Sequence, residues 1–288
     1  MKILITGGSG YIGRNLKRLL TNKGHHIYTP SHEELDLLNR DKVGEYLSHG
    51  QFEVVIHAAG KGGNRMVPDT FENTYLPNIL MYENLSGCLK WSKTPLIIFG
   101  SGAEFDRRHF VHDEYASSVL FHWPIDPYGL SKNLITRRAI TYSTNVWVLR
   151  LFGCFNYDED NTRFIKSCIL SIKENRPIIV HQQKIMDFFF LDDIVPVIER
   201  IFADVQNQQW PEDIRLPKNI NLTYQQKYGL IGIAQMIATQ IKKPGHEIKI
   251  EKDGLSPEYT GSGSILFNSG IPLIGLYEGI RRTISALT

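Results

Sequence analysis

Residues 2–14 read KILITGGSGYIGR, and this stretch decides the fold. Lys2–Thr6 is a short, apolar, β-rich run that stops at a cluster of glycines. Behind the glycines, Ile12, Leu16, Leu19 and Leu20 recur at helical spacing. The order predicted is strand, turn, helix, with Gly7, Gly10 and Gly13 in the turn. Glycine lets the chain reverse tightly and brings backbone N–H groups against an anion at the positive end of the helix. The alternative is a tight strand-to-helix turn with no ligand.

Outward from this unit the same alternation recurs. Strands are expected near 26–29, 53–57, 96–99 and 146–151, and helices near 40–48, 71–89 and 128–142. Unbroken apolar strands separated by helices give an α/β protein with a Rossmann-like, doubly wound parallel sheet covered on both faces. Beyond 155 the pattern loosens into a helix near 162–174, a strand at 177–180 and an irregular stretch over 205–222. Residues 1–155 therefore read as a nucleotide-binding domain. Residues 156–288 read as a smaller, interleaved C-terminal α/β substrate domain, with a segment at about 180–200 returning to the first.

Of the 288 residues 42% are hydrophobic and 22% charged, enough for a sizeable core, and disorder is excluded. Thirty-two basic and thirty acidic side chains leave a net charge of +2 without runs of like charge, so nucleic acid is not expected as a partner. Cys88, Cys154 and Cys168 are odd in number and lack CxxC spacing, which argues against a disulfide framework and a thiolate metal site. No metal is expected. Neither a signal-peptide core nor a membrane span is visible, and the expected compartment is the cytoplasm.

A second constellation lies farther along. Tyr128 and Lys132 stand four apart on an expected helix and project from one face. An ammonium beside a phenol favours phenolate, which suits a general acid or base. Ser101, after the run LIIFG, adds a hydroxyl at the end of a neighbouring strand. Alone, YxxxK reads equally as an exposed helix face. It gains weight from the glycine turn before it. Where an NAD site would carry an acidic residue at the end of the second strand, the chain reads Tyr28, Thr29, Pro30, Ser31, His32. That favours NADP over NAD. Arg14 reads either as a partner for a 2′-phosphate or as a solvated helix residue.

TGGSGYIG at 6–13, HAAG at 57–60, Ser101 four places before Phe105, Tyr128 with Lys132, RLFG at 150–153 and MDFFFLDD at 186–193 together resemble the extended short-chain dehydrogenase/reductase family. The resemblance runs the length of the chain. It implies a nicotinamide-dependent enzyme acting on a nucleotide-linked sugar, with Tyr128 as acid/base, Ser101 polarising the reacting oxygen and Lys132 also gripping the nicotinamide ribose. It places Gly7, Gly10, Tyr11, Ile12, Gly13, Arg14, Ala58, Ala59, Gly60 and Leu151 against the cofactor. Asp36 is expected near the adenine or as a loop cap, and Asn73 as a brace of the site.

Within the family, EELDLLNRDKVGEYL followed by HAAGKGGN is most similar to GDP-fucose synthase and other 4-keto-sugar reductases. Lys61 of the KGGN stretch at 61–64 is then expected near the nicotinamide or sugar, with KGGN as a polar turn the alternative. Gly102 and Ala103 follow Ser101 where the dehydratase branch carries an acidic pair, so dehydration is not expected. Ala103 and Arg163 stand where GDP-fucose synthase has proton-moving groups, which points to reduction without epimerisation. Met186 replaces an arginine that relatives use on the substrate diphosphate, with Lys184 or Arg163 as substitutes, and Gly153 stands for a substrate-contacting asparagine. His109, His112 and His122 read as a polar lid, and residues 188–193 as a buried strand with a helix cap. The expected activity is NADPH-dependent reduction of the 4-ketone of a nucleotide-activated, 6-deoxy sugar by a homodimer. The alternatives are a 4-epimerase with tightly held NAD and a catalytically silent NAD(P)-binding scaffold.

Overall fold

The computed structural model describes residues 1–63, 67–143, 145–207 and 215–287. The chain divides into two compact units. Unit 1 is Met1–Asp106, Ala116–Arg150 and Phe202–Ile220; unit 2 is Arg107–Tyr115, Leu151–Ile201 and Asn221–Thr288.

Unit 1 is built on β1 (Lys2–Thr6), β2 (His26–Tyr28), β3 (Val54–His57), β4 (Leu96–Ser101) and β6 (Val146–Leu151), with β10 (Asn219–Leu222) at one edge. The sheet order is β10-β6-β4-β3-β1-β2, and β1 pairs parallel with β2 and β3, as β3 does with β4. After β1 the chain winds outward to β2 and then returns to the other side as β3. The end of β1 is thus the switch point of the sheet, where α/β proteins bind ligands.

Side chains alternate across each strand. Leu4 and Val55 enter one cluster with Val43 of α2 (Arg40–Gly50), Tyr82 and Leu85 of α3 (Leu76–Leu89) and Ile135 and Ala139 of α4 (Pro127–Tyr142). Their neighbours Ile3, Ile5, Val54 and Ile56 are equally buried on the opposite face, as are Leu16 and Leu20 of α1 (Tyr11–Asn22). The helix expected from 71 opens with a π-turn, Phe71–Tyr75, capped reciprocally by Thr70 and Asn73, and α3 proper begins at Leu76. Pro77 sits in the first turn of α3, where its missing N–H costs nothing.

Unit 2 contains short parallel pairs: β5 (Val111–Glu114) with β12 (Tyr259–Gly261), β7 (Cys154–Phe155) with β9 (Phe189–Phe190), and β8 (Ile178–Gln183) with β11 (Ile248–Leu255). Its core gathers Phe155, Phe188 and Phe190 with α5 (Phe164–Lys173), α7 (Leu230–Gln240) and α9 (Gly275–Ala286). The short α8 (Ser264–Asn268) precedes α9.

Two expectations are corrected here. The segment that returns to unit 1 is Phe202–Ile220, not residues near 180–200. Phe188 and Phe190 are drawn into the unit 2 core, while Phe202, late in α6 (Ile194–Gln206), packs edge-on against His25 and Val148 donates to Lys218. Of Asp192 and Asp193, the two acids expected at the helix cap, Asp193 is bound elsewhere. Its carboxylate accepts the N–H groups of Ile274 and Gly275 at the start of α9, 81 and 82 residues away, and the Tyr224 hydroxyl.

Candidate active site

Ser101, Tyr128 and Lys132 all lie in unit 1, Ser101 at the carboxyl end of β4 and the other two on α4, while the glycine turn and Ala58–Gly60 follow the carboxyl ends of β1 and β3. The glycine turn is packed backbone against backbone. Gly7 is left-handed, with φ 71°, and a Cβ there would lie 2.5 Å from the Ala59 nitrogen at the end of β3. A Cβ on Gly13 would lie 2.2 Å from the Gly7 carbonyl oxygen. Gly10 is the N-cap of α1 and offers no capping side chain, and no acidic residue stands in the first turn. The amino end of α1 is therefore electropositive and open to a phosphate, so these residues fit a dinucleotide.

Ser101 ends β4 and begins a 3-10 turn, Gly102–Phe105. Its Oγ accepts the Ala103 N–H at 3.2 Å, which leaves the hydroxyl proton to be donated elsewhere. Tyr128 and Lys132 lie on α4, whose N-cap Asp126 accepts the Gly129 N–H. The turn after Ser101 abuts that helix so closely that a Cβ on Gly129 would come within 2.6 Å of the Ala103 oxygen. Lys132 Nζ donates to the Phe99 carbonyl at 2.9 Å, and a Cβ on Gly60 would be 3.8 Å from it. Burial pulls the Lys132 ammonium below its ordinary pKa, and the Glu104 carboxylate pushes the other way. His57, buried at the end of β3 with Nδ1 2.8 Å from Thr6 Oγ1, is driven down to about 3 by burial and by the Lys132 charge.

The loop after β3 completes the surround. Gly63, with φ 67°, lies over the Tyr128 ring, where a Cβ would be 3.5 Å from Cζ. Asn78, not Asn73, holds this loop. Its side chain accepts the Lys61 N–H at 2.8 Å, donates to the Lys61 carbonyl at 3.0 Å and reaches Ser131 Oγ. Asn73 is spent on Thr70 and Pro68 as the cap of the π-turn. A polar residue in the otherwise apolar LPNILM that opens α3 was the available signal. Asn64, expected in the same loop, lies outside the described residues.

Sequence reasoning also missed Glu104 and Asn133. Glu104 is fully buried and paired with the equally buried Arg150 at 2.7 Å, while Asn133 donates to the carbonyls of Glu104, Val119 and His122. Arg14 is exposed beside the glycine turn, its guanidinium 5.6 Å from the Tyr11 ring. Asp36 accepts the Leu38 N–H and lies 3.9 Å from His32, so its carboxylate is engaged within its own turn. Leu151, Arg163 and Lys184 belong to unit 2. There Arg163 is the exposed N-cap residue of α5 and Lys184 lies 5.0 Å over the Tyr259 ring. Gly153 is explained by crowding, since a Cβ would meet the Asp187 carbonyl at 2.7 Å. His112 pairs with Glu258 at 2.9 Å. Among the described residues no group of three or more His, Cys, Asp or Glu side chains gathers to hold a metal, and no helix is long and apolar enough to cross a membrane.

Residues 3–216 match the model of the NAD dependent epimerase/dehydratase family. The chain belongs to that family. This family member is 24% identical to GDP-L-colitose synthase of Yersinia pseudotuberculosis, over 94% of this chain and 96% of that one. It is 26% identical to GDP-6-deoxy-D-talose 4-dehydrogenase of Aggregatibacter actinomycetemcomitans, over 93% and 90% of the two chains. In fold it is similar to GDP-mannoheptose C4 reductase of Campylobacter jejuni with NADP bound, with a TM-score of 0.77, 16% identity and coverage of 99% and 97%. The family places the chain among NAD(P)-dependent nucleotide-sugar oxidoreductases and epimerases.

Proposed function

We propose that this family member is an NADPH-dependent reductase of the 4-ketone of a nucleotide-activated, 6-deoxy sugar. The observation that carries the reading is the convergence of Ser101, Tyr128 and Lys132 around the strand ends beside the glycine turn. When bound, the nicotinamide supplies the hydride that reduces the ketone carbon. Ser101 donates its hydroxyl proton as a hydrogen bond to the ketone oxygen, and Tyr128 transfers its phenolic proton to that oxygen as charge builds there. The Lys132 ammonium, held by the Phe99 carbonyl, stabilises the phenolate left behind. Gly63 packs close on the phenol ring, where a Cβ would lie 3.5 Å from Cζ.

The segment after β2 supports NADPH as the cofactor. Thr29 packs against Gly8, where a Cβ would come within 2.5 Å, so the carboxylate-free stretch at 28–32 borders the glycine turn, whose Ser9 carbonyl accepts from the exposed Arg14 guanidinium. Glu104 stands three residues after Ser101 but is buried and tied to Arg150, which leaves the turn without an acid for dehydration. Exposed Leu76 and Leu80 on α3 and Tyr142 on α4 support association of two copies through that helix pair. Cysteines without a disulfide accord with a reducing compartment such as the cytoplasm.

The test is to mix the purified protein with NADPH or NADH and GDP-, dTDP-, UDP- and CDP-4-keto-6-deoxy sugars, following cofactor absorbance and product mass. Cofactor consumption with a gain of two hydrogens supports the reading, and Tyr128→Phe should lower turnover about 10²- to 10⁴-fold. Mass-neutral isomerisation without cofactor consumption would replace it with the epimerase. Turnover indifferent to Tyr128→Phe would refute the assigned roles.

A further inference from the structure

The turn after Ser101 contains two fully buried opposite charges. Glu104 Oε2 accepts both Nε and Nη2 of Arg150, at 2.9 and 2.7 Å, while Glu104 Oε1 accepts the backbone N–H of Ser101 at 2.7 Å. Both side chains have zero exposure. The Arg150 guanidinium lies 4.9 Å from the Phe105 ring and also reaches the Ala116 carbonyl at 3.4 Å. Gly100 makes the room, because a Cβ there would lie 2.6 Å from Glu104 Oε1.

A buried ion pair is a poor source of stability, since desolvation offsets most of its attraction and an apolar pair of similar volume does as well or better. Its retention beside a reacting group calls for another explanation. We propose that the Glu104–Arg150 pair is a positioning device: it fixes the Ser101 backbone at the end of β4 and, through Asn133, ties the turn after Ser101 to α4. The Ser101 backbone N–H is held by the Glu104 carboxylate, and its hydroxyl oxygen accepts the Ala103 N–H while keeping a proton to donate. Asn133, next to Lys132, binds the Glu104 carbonyl at 2.9 Å and couples turn to helix.

The proposal rests on the reductase reading for its kinetic test but not for its physical one. Glu104→Gln keeps an acceptor for Ser101 and removes the charge, leaving Arg150 without a counterion; the paired exchange Glu104→Met with Arg150→Met removes both charges and with them the cost of an unpaired buried cation. Both variants should bind NADPH within about threefold of the parent, because the glycine turn is untouched. In both, kcat should fall roughly 100-fold with KM nearly unchanged, the pattern of a lost transition-state contact. One readout needs no sugar: amide hydrogen exchange at Ser101 should quicken in the paired exchange, because the acceptor of its N–H is gone. If the parent turns over and the paired exchange matches its kcat, the positioning role is refuted. If the parent reduces no 4-keto sugar while Ser101 exchange quickens as stated, the reductase reading falls and the positioning role stands.

Discussion

Replacing Gly13 with alanine tests the glycine turn as a cofactor cradle. The new Cβ would lie 2.2 Å from the Gly7 carbonyl oxygen, 2.8 Å from its carbon and 3.0 Å from Gly8 Cα, all backbone atoms that cannot rotate aside. An unstrained carbon-to-oxygen contact is about 3.3 Å, so the turn must open by roughly 1 Å. Opening it withdraws the N–H groups at the start of α1 from the place of a phosphate. Overpacking of this kind costs about 1–3 kcal/mol. Expressed wholly in affinity, that is a rise in NADPH Kd of roughly 5- to 150-fold. Expressed in folding, it is a drop in Tm of several degrees. Both are measured, by nicotinamide fluorescence titration and by thermal denaturation. Gly44→Ala is the control: its Cβ meets only Cys88 Sγ, at 3.6 Å, within α2, and should stabilise by up to about 1 kcal/mol through helix propensity. A Gly13→Ala protein that binds NADPH within twofold of the parent and melts at the same temperature would refute the backbone-packing argument.

Arg14→Ala should weaken NADPH binding about tenfold while leaving NADH nearly unchanged, as the loss of one exposed charge-assisted contact would; equal losses for both cofactors would remove Arg14 from the 2′-phosphate. Asn78→Ala deletes two hydrogen bonds to the Lys61 backbone and should cost about 1–3 kcal/mol in denaturant titration, with a fall in kcat beyond that explained by unfolding. An unchanged kcat in the folded variant would separate the Lys61 loop from the chemistry. Burial raises Glu159 to about 8 and Asp187 to about 6, so each favours folding fully below its ordinary carboxylate pKa and loses that contribution as pH rises through the raised value. His57, driven down to about 3, has the opposite sign: its contribution is present above its ordinary value of 6.5 and fades as pH falls. Between pH 6.5 and 8 Glu159 therefore acts without opposition from His57, and stability should fall by up to about 1.4 kcal/mol per pH unit. Thermal melts across that range should show the decline and Glu159→Gln should flatten it; an unaltered slope would show that Glu159 ionises freely.

The sheet could be read from the sequence because its strands are buried on both faces and its turns are marked by glycine. Each strand expected in unit 1 falls within two residues of its observed bounds. The ribbons of unit 2 carry no such mark: β11 is exposed at nearly every position and β7 and β9 have two residues each, too few for a period. Ser101, Tyr128 and Lys132 were visible because their spacing is local to one turn or one helix. Glu104 and Arg150 were not, since they are 46 positions apart and a carboxylate just past a strand reads as surface. The clue was Arg150 itself, a charge inside the fully buried run VWVLRL. Asn78 was hidden likewise, because what it holds lies 17 residues earlier in the chain.

The division of the chain has a consequence for how such a protein can be inherited and rebuilt. The polypeptide changes unit five times, and unit 1 is finished only when Phe202–Ile220 has been made. A fragment ending near residue 155 lacks β10 and leaves β6 as a naked sheet edge, ready to pair with other molecules. Neither unit can be passed on alone by a simple gene fusion. New specificities in this lineage must then arise by substitution and loop insertion within an intact reading frame, not by shuffling of modules. During synthesis the ribosome has delivered some three quarters of the chain before the first sheet can close, which leaves that unfinished edge to be shielded in the meantime.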